Sequence, residues 1–275
     1  MPARRAENAV RNIAALAVAA FFLLPMVWLF TTAFKLPRDI FNLPPVWLGF
    51  EATLDNFGFA FGQTQVMRFV LNSIIITLGT TLASIVLGTL GGYAVARSRL
   101  RFISASSYFF LVLLMVPPVA MLLPFYLLMR DFGLLGSYLA VIILDTCYNA
   151  PFVVWMMSNY FCALPTEMEE ASLVDGATYM ESFLRVTLPV AVPGIIASVL
   201  YCIIFSWNDF IFALLLTSPA TKTVPLVILG QLSTSQSAWG SLAALSVFAV
   251  LPVLLIALVL NRYFVQGLTA GATKG

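Results

Sequence analysis

Six long apolar runs constrain the fold of this chain more than any other feature of its sequence. Each run has the roughly 20 residues that an α-helix needs to cross a bilayer. The runs are too long, and they alternate too little, for the strands of a transmembrane barrel. The sequence therefore predicts an all-α integral membrane protein, with six transmembrane helices in one domain covering residues 1–275. The predicted spans are Asn12 to Phe34, Phe69 to Ala96, Ser104 to Met129, Tyr138 to Cys162, Ala191 to Leu216 and Trp239 to Leu260.

The residue inventory excludes several kinds of site. The chain has no His and only three Cys, scattered within the apolar runs, so no metal site, disulfide framework or His-based catalysis is expected. It also lacks the G-x-x-x-x-G-K-[ST] loop that cradles nucleotide phosphates, and the G-x-S-x-G elbow that carries a nucleophilic serine. We therefore expect no enzyme activity, no cofactor in this chain and no nucleic-acid partner.

Basic residues predict the orientation, because cytoplasmic loops collect Lys and Arg. With the amino and carboxyl termini in the cytoplasm, most basic residues lie inside. Residues 35–67 then form an outer, periplasmic segment, while residues 163–189 and the tail 262–275 are cytoplasmic. The predicted inner set is Arg4, Arg5, Arg11, Arg97, Arg99, Arg101, Arg185, Arg262 and Lys274. The predicted outer set is Lys35, Arg38, Arg130 and Lys222, with Arg68 at the outer mouth of the second span.

A polar island interrupts the apolar sequence within residues 163–189. Thr166 with Glu169, and Thr178 with Glu181, match the capping box that begins a helix. Gly176 is placed to end the first helix in a left-handed turn. The sequence predicts two short helices separated by a glycine break. The acids at the start of the first helix are assigned to capping and to the helix dipole: Glu167, Glu169 and Glu170.

These two short helices carry apolar side chains that need covering. One interpretation is a docking surface for a soluble partner. The other is a connector that lies in the lipid headgroups. The apolar residues concerned are Met168, Ala171, Leu173, Met180 and Phe183.

Polar side chains inside two spans are candidates for a translocation pathway. Intramembrane acids are costly and usually face a cavity or a partner. Aromatic rings beside amides and carboxylates suit a polyhydroxylated ligand, although the same groups could instead bond to neighbouring helices. The candidates are Asp145, Tyr148 and Asn149 in the fourth span, and Trp207, Asn208 and Asp209 in the fifth.

Small residues and prolines also pattern the spans. Ser84, Gly88 and Gly92 recur every four residues in the second span, which predicts close helix packing. Prolines are expected to interrupt three spans, and such breaks either mark a path or are structural. They are Pro117, Pro118 and Pro124 in the third span, Pro151 in the fourth and Pro252 in the sixth.

The island resembles the EAA loop of the permease subunits of bacterial ABC importers, E-A-A-x-x-x-D-G-A followed by a Leu-Pro. Here Glu170 to Ala177 reads EASLVDGA, and Leu188-Pro189 follows, so only Ser172 departs from the pattern. Further matches to the carbohydrate importer group are Asn72-Ser73, Tyr93-Ala94, Arg97, Trp207-Asn208-Asp209 and the ending Gly267 to Gly275, which is similar to the second permease of maltose-type systems.

The resemblance implies a subunit of a larger machine in the bacterial cytoplasmic (inner) membrane. Its expected partners are a second homologous permease in a heterodimer, two ATPase subunits that bind ATP and Mg, and an extracytoplasmic substrate-binding protein. It implies alternating access, with the island as the helix that docks on the ATPase. The residues implied in ATPase coupling are Glu170, Ala171, Leu173, Asp175, Gly176, Met180 and Phe183, and those of the tail contact are Gly271 and Lys274.

The expected cargo is a small molecule, a sugar or sugar derivative. A polyol, a glycerol phosphate or a sulfonated sugar is an alternative, but no Lys or Arg lies inside the spans to pair with an anion. A channel, a membrane-embedded enzyme and a structural assembly subunit are the rivals from other classes. Asp145 stands where relatives commonly place a Pro, which makes it a candidate specificity determinant.

Overall fold

The computed structural model describes residues 2–63, 65–98, 109–231 and 238–269, and these residues are helical with short connections. Within those ranges the only extended pairings are isolated bridges, Lys35 with Ala52 and Gly136 with Thr217. The helices are α1 Pro2–Ala33, α2 Pro37–Ile40, α3 Asp55–Gln63, α4 Val66–Arg97, α5 Pro118–Asp131, α6 Tyr138–Ala163, α7 Glu167–Val174, α8 Tyr179–Ser182, α9 Leu188–Val190, α10 Val192–Trp207, α11 Ile211–Leu216, α12 Val224–Gln231 and α13 Ala238–Thr269. A π-helical turn, Phe183–Thr187, joins α8 to α9.

Four of these helices are long and apolar enough to cross a membrane. A fifth candidate is the bent pair Tyr179–Val190 and Val192–Trp207, whose two parts meet at 75°. The prediction of an all-helical membrane protein is therefore confirmed, with four or five candidate spans among the described residues. The four single helices are Val10–Ala33, Val66–Arg97, Tyr138–Ala163 and Trp239–Val259.

The third apolar run is interrupted at Pro117 and Pro118, as predicted, and the fifth run is interrupted where no break was predicted. In the third run, helix α5 begins at Pro118, because the proline at position 117 fits the extended residue that precedes a helix. Residues 104–108 of that run lie outside the described part of the chain. The fifth run is broken between Trp207 and Ile211, where the carboxylate of Asp209 caps a new helix.

The predicted interruptions at Pro151 and Pro252 were wrong. Both prolines lie inside continuous helices, α6 and α13, as Pro124 does inside α5. A single proline removes one backbone donor, and in a membrane protein the neighbouring helices can re-satisfy the freed carbonyl. Apolar sequence on both sides then keeps the helix going.

The chain divides into two compact units. The first contains residues 1–67 and 227–251. In it, Asn56 connects the end of α1 to the segment of residues 35–67, because its Nδ2 donates to the carbonyls of Ala33 at 3.0 Å and Lys35 at 2.8 Å. The Lys35 side chain is fully buried, with its ammonium 3.8 Å from the ring centroid of Trp28.

The second unit contains residues 68–226 and 252–275. Helix α4 packs closely on α6 within it, as the stripe of small residues predicted. A Cβ added at Gly92 would lie 2.7 Å from the Cβ of Met157, and one at Gly88 would lie 2.5 Å from Val153. These glycines therefore bring the two helices together, and they place the carboxyl end of α4 beside that of α6.

Candidate functional site

The coupling segment, residues 163–189, folds as the predicted pair of short helices. Helix α7 ends at Val174, and Gly176 takes a φ of 93°, which is cheap only for glycine. The amide of Ala177 donates to the carbonyl of Ser172, and the amide of Gly176 to that of Leu173, at 3.0 and 3.1 Å. This is the Schellman arrangement, so the predicted glycine break is confirmed.

Of the two predicted capping boxes, one is present. Thr178 accepts from the amide of Glu181, whose carboxylate accepts from the amide of Thr178 in return. The box predicted at Thr166 and Glu169 was wrong, because Thr166 makes no side-chain cap bond and Glu169 is engaged elsewhere. Ser172, the residue that departs from the family pattern, lies 2.6 Å from Ser182 through the two hydroxyl oxygens and so links α7 to α8.

Glu169 forms an ion pair with Arg97, the last residue of α4. The Arg97 Nη2 and Nε donate to Glu169 Oε1 at 2.7 and 3.0 Å, and Nη1 donates to the carbonyl of Phe161 at 2.9 Å. The Tyr93 hydroxyl donates to Glu169 Oε2 at 2.9 Å. Both side chains of the pair are largely shielded, at 17% and 12% exposed. One guanidinium therefore joins α4, α6 and α7.

This environment sets the charge state of Glu169. Burial raises the pKa of its carboxyl, but the hydrogen bonds from Arg97 and Tyr93 and the positive charge of Arg97 lower it by more. The pKa of Glu169 therefore lies below its ordinary value, and the carboxylate stays ionised at neutral pH.

The coupling segment also carries exposed apolar side chains. Val174 is 88% exposed, Tyr179 78% and Met180 59%. Phe183 does not belong to this surface, contrary to expectation, since it is buried with its ring 4.5 Å from that of Tyr93. The other predicted coupling residues lie at the surface or half-buried along α7 and its end: Glu170, Ala171, Leu173, Asp175 and Gly176.

A cavity of about 490 Å³ opens between α5, α6 and the α10–α11 break, and we call it the Asp145 cavity. Asp145 and Asn149 are each 2% exposed. Asp145 Oδ2 accepts from the hydroxyls of Ser206 at 2.7 Å and Thr80 at 3.5 Å. The lining residues are Pro118, Asp145, Tyr148, Asn149, Ile204, Phe205, Asn208, Asp209, Phe210, Ile211 and Phe212.

The structure thus brings five of the six predicted pathway residues to one cavity. Trp207 lies apart from it, because its buried side chain lines a separate apolar cavity of about 280 Å³. Asp209 has a structural task as well, since its carboxylate accepts from the amides of Phe212 at 3.2 Å and Ala213 at 2.9 Å. Asn208, which follows the last residue of α10, donates to the carbonyl of Ile204 in that helix at 2.7 Å.

Two further expectations concern the tail and metals. Gly271 and Lys274, the expected tail contacts, lie outside the described residues. Within the described ranges, no group of three or more Cys, Asp or Glu side chains could hold a metal ion.

Sequence reasoning missed the Arg97–Glu169 ion pair and the exposed Val174 and Tyr179. The two residues are 72 positions apart, and no local sequence pattern predicts a contact over that separation. A signal was present, because Arg97 is the basic residue that closes the stretch of α4 from Phe69 onwards, which is otherwise uncharged.

Comparison with known proteins places the chain among membrane components of transport systems. Residues 84–270 match the model of the family described as binding-protein-dependent transport system inner membrane component. The chain is 32% identical over 266 residues to the diacetylchitobiose uptake system permease protein DasC of Streptomyces coelicolor, with 96% of each chain covered. It is 30% identical over 267 residues to the trehalose/maltose transport system permease protein MalG of Thermococcus litoralis, covering 96% of this chain and 95% of the relative.

A solved structure shares the fold. A chain of a bacterial ABC transporter involved in the import of the acidic polysaccharide alginate superposes with a TM-score of 0.79 at 23% identity. The match covers 96% of this chain and 98% of that one.

Proposed function

The chain belongs to the family of binding-protein-dependent transport system inner membrane components, and we propose that its cargo is a sugar or sugar derivative. It is a multi-pass permease subunit of the inner membrane in an ABC importer, and ATP hydrolysis belongs to a separate subunit. Two similar permeases serve systems for diacetylchitobiose and for trehalose or maltose, which supports a carbohydrate cargo. A polyol, a glycerol phosphate or a sulfonated sugar is the alternative.

The proposed topology has six spans in a single permease domain, with both termini in the cytoplasm. The fifth and third spans would then be bent or broken helices. The excess of Lys and Arg on the predicted inner side supports this orientation. It places the coupling segment in the cytoplasm and residues 35–67 outside, where a substrate-binding protein would dock.

The coupling segment is proposed to receive the movement of the ATPase. Its exposed apolar side chains, Val174, Tyr179 and Met180, give a soluble partner a surface to cover. The observation that carries this proposal is the Arg97–Glu169 ion pair, because it fixes α7 to the ends of α4 and α6. A displacement of α7 would therefore move two candidate membrane spans with it.

Alternating access follows if nucleotide binding and hydrolysis bias the bundle between two arrangements. The assembly proposed is a heterodimer with a second permease, two ATPase subunits and the binding protein. The tail residues Gly271 and Lys274 are proposed to contact the ATPase. The Asp145 cavity is proposed as this subunit's part of the translocation pathway.

Reconstitution tests the proposal. The full complex is placed in proteoliposomes with the binding protein outside. Uptake of diacetylchitobiose, trehalose, maltose, glucosamine and glycerol phosphate is measured with ATP inside, with ADP, and without nucleotide. The proposal predicts uptake of a sugar only with ATP. Equal uptake without nucleotide would indicate a channel, and ATP-driven uptake of glycerol phosphate with no uptake of any of these sugars would contradict the carbohydrate cargo.

A further inference from the structure

The Asp145 cavity presents the oxygens of two carboxyl groups to whatever occupies it. Asp145 and Asp209 both line it, whereas the described lining residues include no Lys or Arg. The two acids differ in the hydrogen-bond partners of their carboxyl oxygens. Asp209 lies at the start of α11 and accepts two backbone N–H groups there, which suits a negative charge at a helix amino end.

Asp145 has neutral partners for its carboxylate. The contacts are the hydroxyls of Ser206 and Thr80, which donate to Oδ2 at 2.7 and 3.5 Å. Neither brings a positive charge to a side chain that is 2% exposed. A buried acid in a membrane span calls for a partner, and no basic residue among the lining of the cavity supplies one.

Asn149 adds an independent observation. It lies one helical turn from Asp145, is 2% exposed and lines the same cavity. Its Nδ2 donates to the backbone carbonyl of Asp145 at 2.9 Å, while its Oδ1 has no hydrogen-bond partner in the described structure. The unsatisfied atom is therefore an acceptor, and it needs a donor from a ligand or a solvent molecule.

The aromatic part of the lining completes the pattern. Tyr148, Phe205, Phe210 and Phe212 surround the cavity. Ring faces accept both the apolar face of a sugar ring and a cation. An ammonium group has three donors and no acceptor, so it matches a carboxylate and an amide oxygen better than a hydroxyl does.

We propose that the Asp145 cavity binds a cargo that carries a protonated amine, such as an amino sugar, and disfavours carboxylated or sulfonated sugars. The amine is held by Asp145 and Asn149 while the aromatic rings contact the sugar. This inference rests on the proposed role of the cavity in the pathway. It narrows the cargo from sugars in general to basic sugars.

Ligand-induced thermal stabilisation of the purified full complex tests this inference without ATP turnover. The probes are glucosamine, glucose and glucuronate at matched ionic strength, with ethanolamine as an amine that lacks the sugar. A ligand that binds the folded state raises the melting temperature, and the stabilisation grows with the logarithm of the ligand concentration divided by its dissociation constant. Glucosamine is expected to bind about tenfold more tightly than glucose, because charge-assisted hydrogen bonds are roughly twice as strong as neutral ones.

Two variants and a control assign the effect to the cavity. Asp145→Asn should abolish the advantage of glucosamine over glucose, and Asn149→Leu should reduce it while leaving the charge of the cavity unchanged. Asp131→Asn, an exposed acid paired with Arg130, should retain the full advantage. If Asp145→Asn fails to assemble, the inference is still tested by the order in which the probes stabilise the wild type and by the effect of Asn149→Leu on that order.

Equal stabilisation of the wild type by glucosamine and glucose, tighter binding of glucuronate, or no stabilisation by any sugar would overturn the inference. So would an unchanged advantage in Asp145→Asn or Asn149→Leu. If the thermal-shift results contradict amine binding while ATP-driven uptake of a sugar is observed, the inference about the amine is wrong and the proposed permease function still holds. If no ATP-driven uptake is observed while glucosamine still binds more tightly than glucose, the proposed permease function is wrong and the amine-binding site still holds.

Discussion

Arg97 Nη2 lies 2.7 Å from Glu169 Oε1, so the last residue of a candidate membrane span is held directly by the first turn of α7. The same guanidinium reaches the carbonyl of Phe161 near the end of α6. Three helices thus meet at one side chain. We therefore expect that a movement of α7 is transmitted to α4 and α6 through these largely buried contacts of Arg97.

Charge reversal tests this route. Arg97→Glu or Glu169→Arg alone places like charges together in a shielded site, and each should destabilise the local structure by about 3 kcal/mol and sharply reduce ATP-driven uptake. The double reversal should recover a substantial part of both losses. The measurements are the melting temperature of the complex and uptake per ATP hydrolysed.

A matched control is the exposed pair of Arg38 and Glu51, whose closest atoms are 2.8 Å apart. Reversal of that pair should barely change the melting temperature, because water screens surface ion pairs. If the double reversal at Arg97 and Glu169 is no better than the worse single variant, the direct pairing is not what connects these helices.

The turn at Gly176 gives a second prediction. Its φ of 93° is strained for any residue with a Cβ, so Gly176→Ala should cost about 1 to 2 kcal/mol and Gly176→Pro, which also removes the amide bonded to Leu173, should cost more. We expect both to lower the number of cargo molecules imported per ATP. Gly133, with a φ of 68° and open space around it, is the control. Gly133→Ala should be similarly strained yet leave that ratio unchanged, and a matching loss of coupling there would point to general instability.

The exposed side chains of the coupling segment give a third prediction. Tyr179→Ser and Met180→Ser should leave the fold intact, because these residues are 78% and 59% exposed, while weakening the hold on the ATPase. Retention of the ATPase on the affinity-tagged permease during purification measures this. Leu48→Ser, at a residue that is 86% exposed in the segment of residues 35–67, should retain the ATPase fully. Undiminished retention in both coupling-segment variants would argue against this docking surface.

The depressed pKa of Glu169 gives a prediction in pH. A folded-state pKa below the unfolded value contributes stability that is present above the unfolded pKa and is lost as pH falls through the folded one. The melting temperatures of wild type and Glu169→Gln should therefore differ most at neutral pH. The difference should shrink as pH falls below 4.5, the ordinary pKa of Glu, and through the lower pKa of the folded state. A gap that widens toward low pH would contradict the assigned direction.

Packing of α4 on α6 gives a fifth prediction. Gly92→Ala would place a Cβ 2.7 Å from the Cβ of Met157 and 2.9 Å from the backbone nitrogen of Ser158. Overpacking of this kind costs about 1 to 3 kcal/mol, which should lower the melting temperature of the complex. Gly230→Ala has nothing within 4 Å of the new Cβ and should be neutral or stabilising. Equal effects at the two positions would mean that the glycine stripe does not set the helix separation.

Much of the architecture could be predicted from local sequence. Apolar length identified the spans over α1, α4, α6 and α13, and the Thr178–Glu181 capping box and Gly176 turn follow from residues a few positions apart. These features depend on chemistry within one or two helical turns, which a single sequence contains.

The misses have a common physical origin in contacts between distant segments. Hydrophobicity suggested an exposed Phe183, but Tyr93 and Phe161 of other helices bury it. The capping pattern predicted that Glu169 would cap the start of its own helix. Its carboxylate instead pairs with Arg97, which offers a full positive charge. Trp207 is adjacent to Asn208, yet successive helical residues point about 100° apart, and its side chain lines a different cavity.

The most direct test of the account is where the coupling segment lies and what it touches. Cys147, Cys162 and Cys202 are replaced by Ala, and a single Cys is placed at the exposed position of Tyr179. In one experiment, intact cells that carry this variant are treated with a membrane-impermeant maleimide. In a second, purified complexes of the variant with Cys variants of the ATPase are cross-linked. We predict no labelling from outside and a disulfide or bis-maleimide product with the ATPase subunit. Labelling from outside, or a product with the binding protein in place of the ATPase, would contradict the account.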